Sequence, residues 1–360
     1  MAMFSHLDYH GYGELHLAYD RETGLRSFIA IHDTRLGPAL GGSRFVTYAG
    51  LEQAAIDALR LGRGMTYKAA LAGLPLGGGK AVIWKPNGMD ARLAPGTPYR
   101  RSMFRAFGRV VEGLGGRYIT AEDSGTNPDD MVDIASQTKH VVGIPEANGG
   151  VGDPSPQTAR GVRRGIEAVA KEILKRDSLQ GVHVAIQGIG HVGFELAKEL
   201  HESGCKLTVA DIMFSKTRLL AKEIGDKFTI SDIDGILDAK CDIFAPCALG
   251  GVIQEETVDR LRCKAVAGAA NNQLADTAVD AALYKKGIFW APDYAVNAAG
   301  LIWVSQTACG LTRESASQKI EEIYDTIADI AIRSKSEGVP PGQIADSVVE
   351  ERLDAKSAVS

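Results

Sequence analysis

Residues 182–211, VHVAIQGIGHVGFELAKELHESGCKLTVAD, restrict the fold more than any other stretch of the chain. Val182–Ile186 is a mostly apolar run suited to a buried strand, and Gly188, Gly190 and Gly193 follow it at GxGxxG spacing. Leu196, Ala197 and Leu200 then share a helical face, and Leu207–Ala210 reads as a second strand ending at Asp211. That order describes a strand–helix–strand unit of a parallel sheet, the Rossmann arrangement. Gly188 permits the tight turn, Gly190 lets a pyrophosphate approach the backbone, and Gly193 lets helix and strand pack closely. Asp211 stands 23 residues after Gly188 and can accept hydrogen bonds from an adenosine ribose. Its charge repels a 2′-phosphate, which favours NAD over NADP. A helix–strand unit that uses its glycines only for packing is the alternative.

A chain of 360 residues exceeds a usual single core, so two domains are expected, both α/β. Residues 143–158, GIPEANGGVGDPSPQT, mark the crossing between them. The expected division is residues 1–145 as a substrate-binding and catalytic domain, with 330–360 packing back onto it, and 146–329 as the Rossmann NAD-binding domain. Residues 15–19 and 26–32 predict a hairpin, and the glycine-rich HDTRLGPALGGSR after it predicts a loop. Residues 85–98 predict an exposed excursion, and 314–336 one long helix. A net charge of −5 without a basic block argues against nucleic acid as a partner. No run has the length of a membrane span, and MAMFSHLDYHG lacks a signal pattern. Five cysteines without a CxxC favour a reducing cytoplasm, and no metal site is expected.

The reactive chemistry concentrates in residues 60–84, RLGRGMTYKAALAGLPLGGGKAVIW. Lys68 leaves the end of a predicted helix, and Lys80 stands at the mouth of a predicted strand after Gly77, Gly78 and Gly79. Two ammoniums in one pocket repel, which lowers the pKa of at least one and makes a neutral amine available as a general base. Two surface lysines flanking an ordinary turn are the bland reading. Asp123, beyond the predicted strand in RYITAED, is a candidate acid, with Glu122 competing; either one can instead cap a turn. His32 and Asp33 form no metal set and read as structural. Cys247 has apolar neighbours and no local histidine, so a packed thiol is favoured over a nucleophile. Asn271 and Asn272 can meet a cofactor amide or a substrate, or simply form an Asx turn.

The segments IAIHDTRLGPALGGSR, DALRLGRGMTYKAALAGLPLGGGKAVI, GRYITAED, QGIGHVG, APCALG, GAANNQL and APDYAVNAAG occur in one order over nearly the whole chain. In these the chain resembles the amino-acid dehydrogenase family that includes glutamate, leucine, valine and phenylalanine dehydrogenases, most closely its leucine-type members. The resemblance implies two domains separated by a cleft, the amino-terminal one for substrate and oligomerisation. It also implies a homo-oligomer, octameric in leucine-type members. Lys68 then binds the substrate α-carboxylate beside backbone at Gly42, Lys80 activates water, and Asp123 exchanges a proton with the amino nitrogen. Asn271 and Asn297 help close the substrate site, and Leu40, Ala121, Leu301 and Val304 line the side-chain pocket. Cofactor contacts fall on Thr158, Gly188, Gly190, His191, Val192, Gly193, Asp211, Cys247, Ala248 and Asn271. The implied reaction is reversible NAD-dependent oxidative deamination of leucine, valine or isoleucine to the 2-oxo acid and ammonia. Leu301 replaces a customary valine and Trp303 a customary asparagine, which together with the 85–98 excursion leaves the exact side chain open; phenylalanine or another bulky amino acid is one alternative. A 2-hydroxy-acid dehydrogenase and a non-enzymatic NAD or amino-acid sensor are the others.

Overall fold

The computed structural model describes residues 11–357. The start of the chain, where the signal pattern was sought, lies outside the described residues. The chain divides into two compact units. Of the described residues, one takes 11–153, Val304–Arg313 and 351–357, and the other takes Pro154–Trp303 and Glu314–Glu350.

In the first unit β1 (Glu14–Tyr19) and β2 (Arg26–Asp33) form the expected antiparallel hairpin. The sheet order is β1-β2-β4-β3-β5, with β3 (Ala39–Val46) parallel to both β4 (Gly77–Trp84) and β5 (Tyr118–Glu122). Alternation along the strands gives each face its own cover. Phe28, Ala30 and Val82 meet α1 (Leu51–Leu71), whereas Ile29, Ala81 and Ile83 share a core with Met103, Phe104 and Phe107 of α2 (Pro98–Gly113) and with α3 (Pro128–Ala135). The α3 helix begins with a capping box between Asn127 and Asp130.

Two sequence expectations fail here for one reason. The segment read as a loop contains β3, and Gly77–Gly79 open strand β4 rather than a turn, so Lys80 lies inside the strand. None of these glycines has a left-handed φ. Their missing side chains serve close packing: a Cβ on Gly41 would stand 1.7 Å from the Gly79 carbonyl oxygen, and one on Gly78 2.0 Å from the Thr66 amide nitrogen of α1. Backbone cannot yield as a flexible side chain does, so Gly41→Ala is expected to abolish cooperative thermal unfolding. A variant melting like the parent would refute this account of β3. The 85–98 stretch also departs from expectation, because Leu93 is buried in the core beside α2.

The second unit is a six-stranded parallel sheet in the order β11-β10-β9-β6-β7-β8. The strands are β6 (His183–Gln187), β7 (Lys206–Ala210), β8 (Thr229–Ile230), β9 (Ile243–Pro246), β10 (Ala265–Val266) and β11 (Phe289–Trp290). Helices α4 (Ser155–Glu172) and α5 (His191–Glu202) flank it. The expected long helix is broken at Glu322 into Arg313–Glu321 and Ile323–Glu337. Ile323 and Ile327 seat against Gly161 and Gly165 of α4, which keeps this part of the tail in the second unit. The return to the first unit therefore begins at Glu351 rather than at residue 330.

One carboxyl in this unit is held against its own charge. Burial, reinforced by Asp346 and only partly offset by the Gly342 N–H, pushes the Asp280 carboxyl up to about 6. Its Oδ2 accepts from Gly342 N at 2.9 Å, and its Oδ1 is buried without a partner. A carboxyl raised in the folded state favours folding below its unfolded value, and that benefit is lost as pH rises through the folded value. Above pH 6 the deficit is about 3 kcal/mol. Asp280→Asn keeps the acceptor for Gly342 without the charge. It is expected to raise stability at pH 8 by about 1–3 kcal/mol and to give no gain at pH 4. Urea denaturation at both pH values is the check, and an equal gain at each would contradict the electrostatic cause.

Candidate active site

In parallel strands, side chains at paired positions point to the same face. Leu40 lies opposite Gly78 and Ile119, and Gly42 lies opposite Ala121. Continuing that register places Lys80 beside Gly42. Leu40, Gly42, Lys80 and Ala121 thus share one face, the face that α1 covers. Lys68, half-buried, lies in the last turn of α1.

Lys80 is 6% exposed and forms an ion pair with Asp123 Oδ2. Asp123 begins the turn after β5, where its N–H donates to Thr126 Oγ1 at 2.8 Å and its carbonyl accepts from Thr126 N at 3.0 Å. A Cβ on Gly42 would stand 2.8 Å from the Asp123 Cβ, so glycine there leaves room for the carboxylate. Burial alone would push the Asp123 carboxyl up; the Lys80 ammonium, and then the Arg44 guanidinium, outweigh it and hold it at about 2. The sequence expectation set two ammoniums against each other, whereas the contact made by Lys80 is with a carboxylate. Of the two competing acids, Asp123 takes that contact. Glu122 is more exposed, and partial burial with Asp130, Asp153 and Asp123 nearby pushes its carboxyl up. His32 is structural, sharing a 2.8 Å hydrogen bond with Thr66 and lying edge-on to Tyr12.

Arg44 was missed in the sequence. Its Nε lies 3.3 Å from Asp123 Oδ2 and its Nη1 2.9 Å from Asp57 Oδ2. The available signal was a charged residue ending a glycine-rich run that proved to be an interior strand.

In the second unit Gly188 has φ +98°, and a Cβ there would stand 2.9 Å from the Ala248 nitrogen. A Cβ on Gly193 would lie 2.0 Å from the Gly188 carbonyl oxygen, whereas one on Gly190 meets nothing within 4 Å. Gly188 and Gly193 therefore close the turn, and Gly190 leaves space beside the backbone where α5 begins, with His191 and Val192 as its first residues. Asp211 follows β7 directly, its Oδ2 accepting from Ile189 N at 2.7 Å and its Oδ1 from Met213 N at 2.8 Å. Lys216 Nζ lies 3.6 Å from Asp211 Oδ2.

Around the carboxyl ends of these strands, Asn297 Nδ2 donates to Asn271 Oδ1 at 2.8 Å. Thr158 Oγ1 donates to Pro154 O and would meet a Cβ on Gly300 at 2.7 Å. Burial pushes the Cys247 thiol up to about 12, in keeping with a packed thiol. Gln187 Oε1 and Asn297 Oδ1 are buried without partners. Buried polar atoms are normally satisfied, so these orphans together with the open space at Gly190 fit a bound polar dinucleotide. Leu301 belongs to the second unit and is buried; Val304 belongs to the first, where it lines a cavity of about 220 Å³ with Val141, Val142 and Ile144. Among the described residues no group of three or more His, Cys, Asp or Glu side chains is placed to hold a metal ion, and no helix is long and apolar enough to cross a membrane.

A parallel sheet with this glycine turn, in a chain whose other unit buries a lysine–carboxylate pair, is the make-up of a nicotinamide-dependent oxidoreductase. Residues 13–140 match the family model for the Glu/Leu/Phe/Val dehydrogenase dimerisation domain, and residues 213–348 match that for glutamate/leucine/phenylalanine/valine dehydrogenase. Leucine dehydrogenase of Thermoactinomyces intermedius is 49% identical over 98% of this chain and 94% of its own. That of Geobacillus stearothermophilus is 46% identical with the same coverage. The crystal structure of L-tryptophan dehydrogenase from Nostoc punctiforme superposes with a TM-score of 0.85 at 38% identity, over 99% of this chain and 100% of that one. The chain belongs to the glutamate/leucine/phenylalanine/valine dehydrogenase family of amino-acid dehydrogenases.

Proposed function

We propose that the protein catalyses the reversible, NAD-dependent oxidative deamination of an aliphatic L-amino acid, leucine with valine and isoleucine, to the 2-oxo acid and ammonia. The observation that carries this reading is the buried Lys80–Asp123 pair on the face shared with Leu40, Gly42 and Ala121. Kinship with leucine dehydrogenases supports the substrate class. In this reading the unit that carries Lys80 is the substrate domain and the unit that carries the Gly188 turn the NAD-binding domain.

Lys68 holds the substrate carboxylate, with Gly42 backbone beside it. Asp123, kept ionised by its two cations, accepts a proton from the substrate ammonium. Thr158, Gly188, Gly190, His191, Val192, Gly193, Asp211, Cys247, Ala248 and Asn271 hold the cofactor, with Asp211 receiving the ribose hydroxyls and disfavouring a 2′-phosphate. Bound nicotinamide supplies the acceptor for the hydride that leaves Cα. Once Asp123 carries that proton, Lys80 gives up its own to solvent and, as the amine, takes one from the water that adds to the iminium carbon; the ammonium so formed stabilises the developing carbinolamine oxygen. Asp123 returns its proton to the nitrogen as the C–N bond breaks, and the carbinolamine hydroxyl passes its proton to solvent as the C=O bond forms, releasing ammonia and the 2-oxo acid. Asn271 and Asn297 close the substrate site, and Leu40, Ala121, Leu301 and Val304 present an apolar surface to the side chain.

A second reading, a bulkier aromatic substrate, is favoured by the likeness to L-tryptophan dehydrogenase. Comparing kcat/KM for leucine, valine, isoleucine, phenylalanine and tryptophan with NAD separates the two. Hydrophobic pockets discriminate a methylene by only about 1–3 kcal/mol, so overlapping aliphatic substrates are expected. Reduction of 2-oxo-4-methylpentanoate that ignored ammonia would turn the assignment to a 2-hydroxy-acid dehydrogenase, and binding without NADH formation to a sensor. A cytoplasmic homo-oligomer is proposed, supported by the match to a dimerisation domain. Light scattering counts its subunits and tests whether it is an octamer.

A further inference from the structure

We propose that Arg44 is a positioning residue for this reaction, clamping Asp123 Oδ2 as a second cation so that the carboxylate keeps its place and charge while Lys80 engages substrate. The proposal rests on the reading of Lys80 and Asp123 given above. Arg44 continues the Leu40, Gly42 alternation along β3 and reaches the turn after β5 from the strand lying between β4 and β5. Its Nε is 3.3 Å from Asp123 Oδ2, the same oxygen that meets Lys80.

What distinguishes the two cations is how each is held. The Arg44 guanidinium is tied at its other end by Asp57 of α1, whose Oδ2 lies 2.9 Å from Arg44 Nη1 and accepts from Tyr48 Oη at 2.6 Å. Asp57 Oδ1 is in turn 3.1 Å from Arg60 Nη2. A planar fork fixed at both ends cannot follow the substrate, whereas the ammonium on the flexible stem of Lys80 can. Charges therefore alternate through Arg60, Asp57, Arg44, Asp123 and Lys80. The groups that act on Asp123 are Lys80 from β4, Arg44 from β3, the Ser124 N–H beside it, and Glu122 and Tyr118 of β5. Once Lys80 turns to the bound substrate, before Asp123 takes the ammonium proton, Arg44 is the cation left on this carboxylate. Without it, burial has less opposition and Asp123 protonates at a higher pH.

The test is the pH profile of kcat and kcat/KM for amino-acid deamination in Arg44→Met, Arg44→Lys, Asp57→Asn and Asp123→Asn. Arg44→Met is expected to move the acidic limb upward by about 1–3 pH units and to lower kcat by about tenfold or more near neutrality. Arg44→Lys keeps a charge without the fork, so its limb stays close to the parent's while kcat falls. Asp57→Asn loosens the clamp and should likewise lower kcat with little movement of the limb. An acidic limb unmoved in Arg44→Met, or a loss confined to KM, overturns the proposal. Should Arg44→Met not fold, parental kcat in both Arg44→Lys and Asp57→Asn overturns it, and the expected falls in kcat support it. Parental turnover in Asp123→Asn would instead bring down the underlying site reading; an inactive Asp123→Asn beside an unmoved Arg44→Met profile isolates the failure to Arg44.

Discussion

Lys80→Ala is expected to lower kcat for deamination by about 10²–10⁴-fold, the range set by removal of a positioned acid–base group. NAD binding, followed by calorimetry, is expected to survive, because the proposed cofactor residues belong to the other compact unit. Lys80 is fixed where it is by β4: the strand pairs with β2 and β3, and the side chain is 6% exposed and ion-paired with Asp123. Alanine cannot move a proton, and it also leaves Asp123 with Arg44 as its remaining neighbouring cation. Lys80→Arg keeps the charge but replaces a compact ammonium on a flexible stem with a planar guanidinium that does not give up a proton, so it too should be slow. Turnover of either variant within tenfold of the parent would remove Lys80 from the mechanism.

Arg100→Met is expected to lower stability by about 3–5 kcal/mol in urea denaturation, the usual result of leaving a buried charge unpaired. Arg100 and Asp130 are 5% and 4% exposed, and Arg100 Nε lies 2.7 Å from Asp130 Oδ1. The same guanidinium donates to the carbonyls of Leu93 at 2.9 Å and Gly125 at 2.8 Å, and lies over the rings of Phe45 and Phe104. One side chain thus secures the 85–98 stretch, the start of α3 and the turn that carries Asp123. Removing both charges, in Arg100→Met with Asp130→Asn, should cost less than Arg100→Met alone, since no uncompensated ion remains. A single-variant cost below about 1 kcal/mol would show that water replaces the guanidinium and that the network is not a structural anchor. Activity should fall along with stability, because Gly125 lies two residues beyond Asp123.

The two halves of the chain differed in how openly their sequences declared the structure. In 182–211 the apolar run, glycine spacing, helical face and second strand all concern neighbours in the chain, and β6, α5 and β7 form where they are expected. The hairpin was equally legible. In the first unit, local signals misled at the glycines. Gly41, Gly42 and Gly77–Gly79 look like loop residues because glycine usually marks conformational freedom. Here they supply thinness, which is demanded by backbones that lie far away in sequence.

Within single elements, then, residue order by itself settled the periodicities and the glycine turn of the second unit, since each depends on residues a few positions apart. Strand order and register in the first sheet decided the remainder. They set Lys80 against Asp123 instead of a second ammonium, brought Arg44 to the same oxygen and drew Arg100 beneath the turn. Those partners are separated by 25 to 79 residues along the chain. An electrostatic contact depends on distance in space, which appears only when the strands have paired.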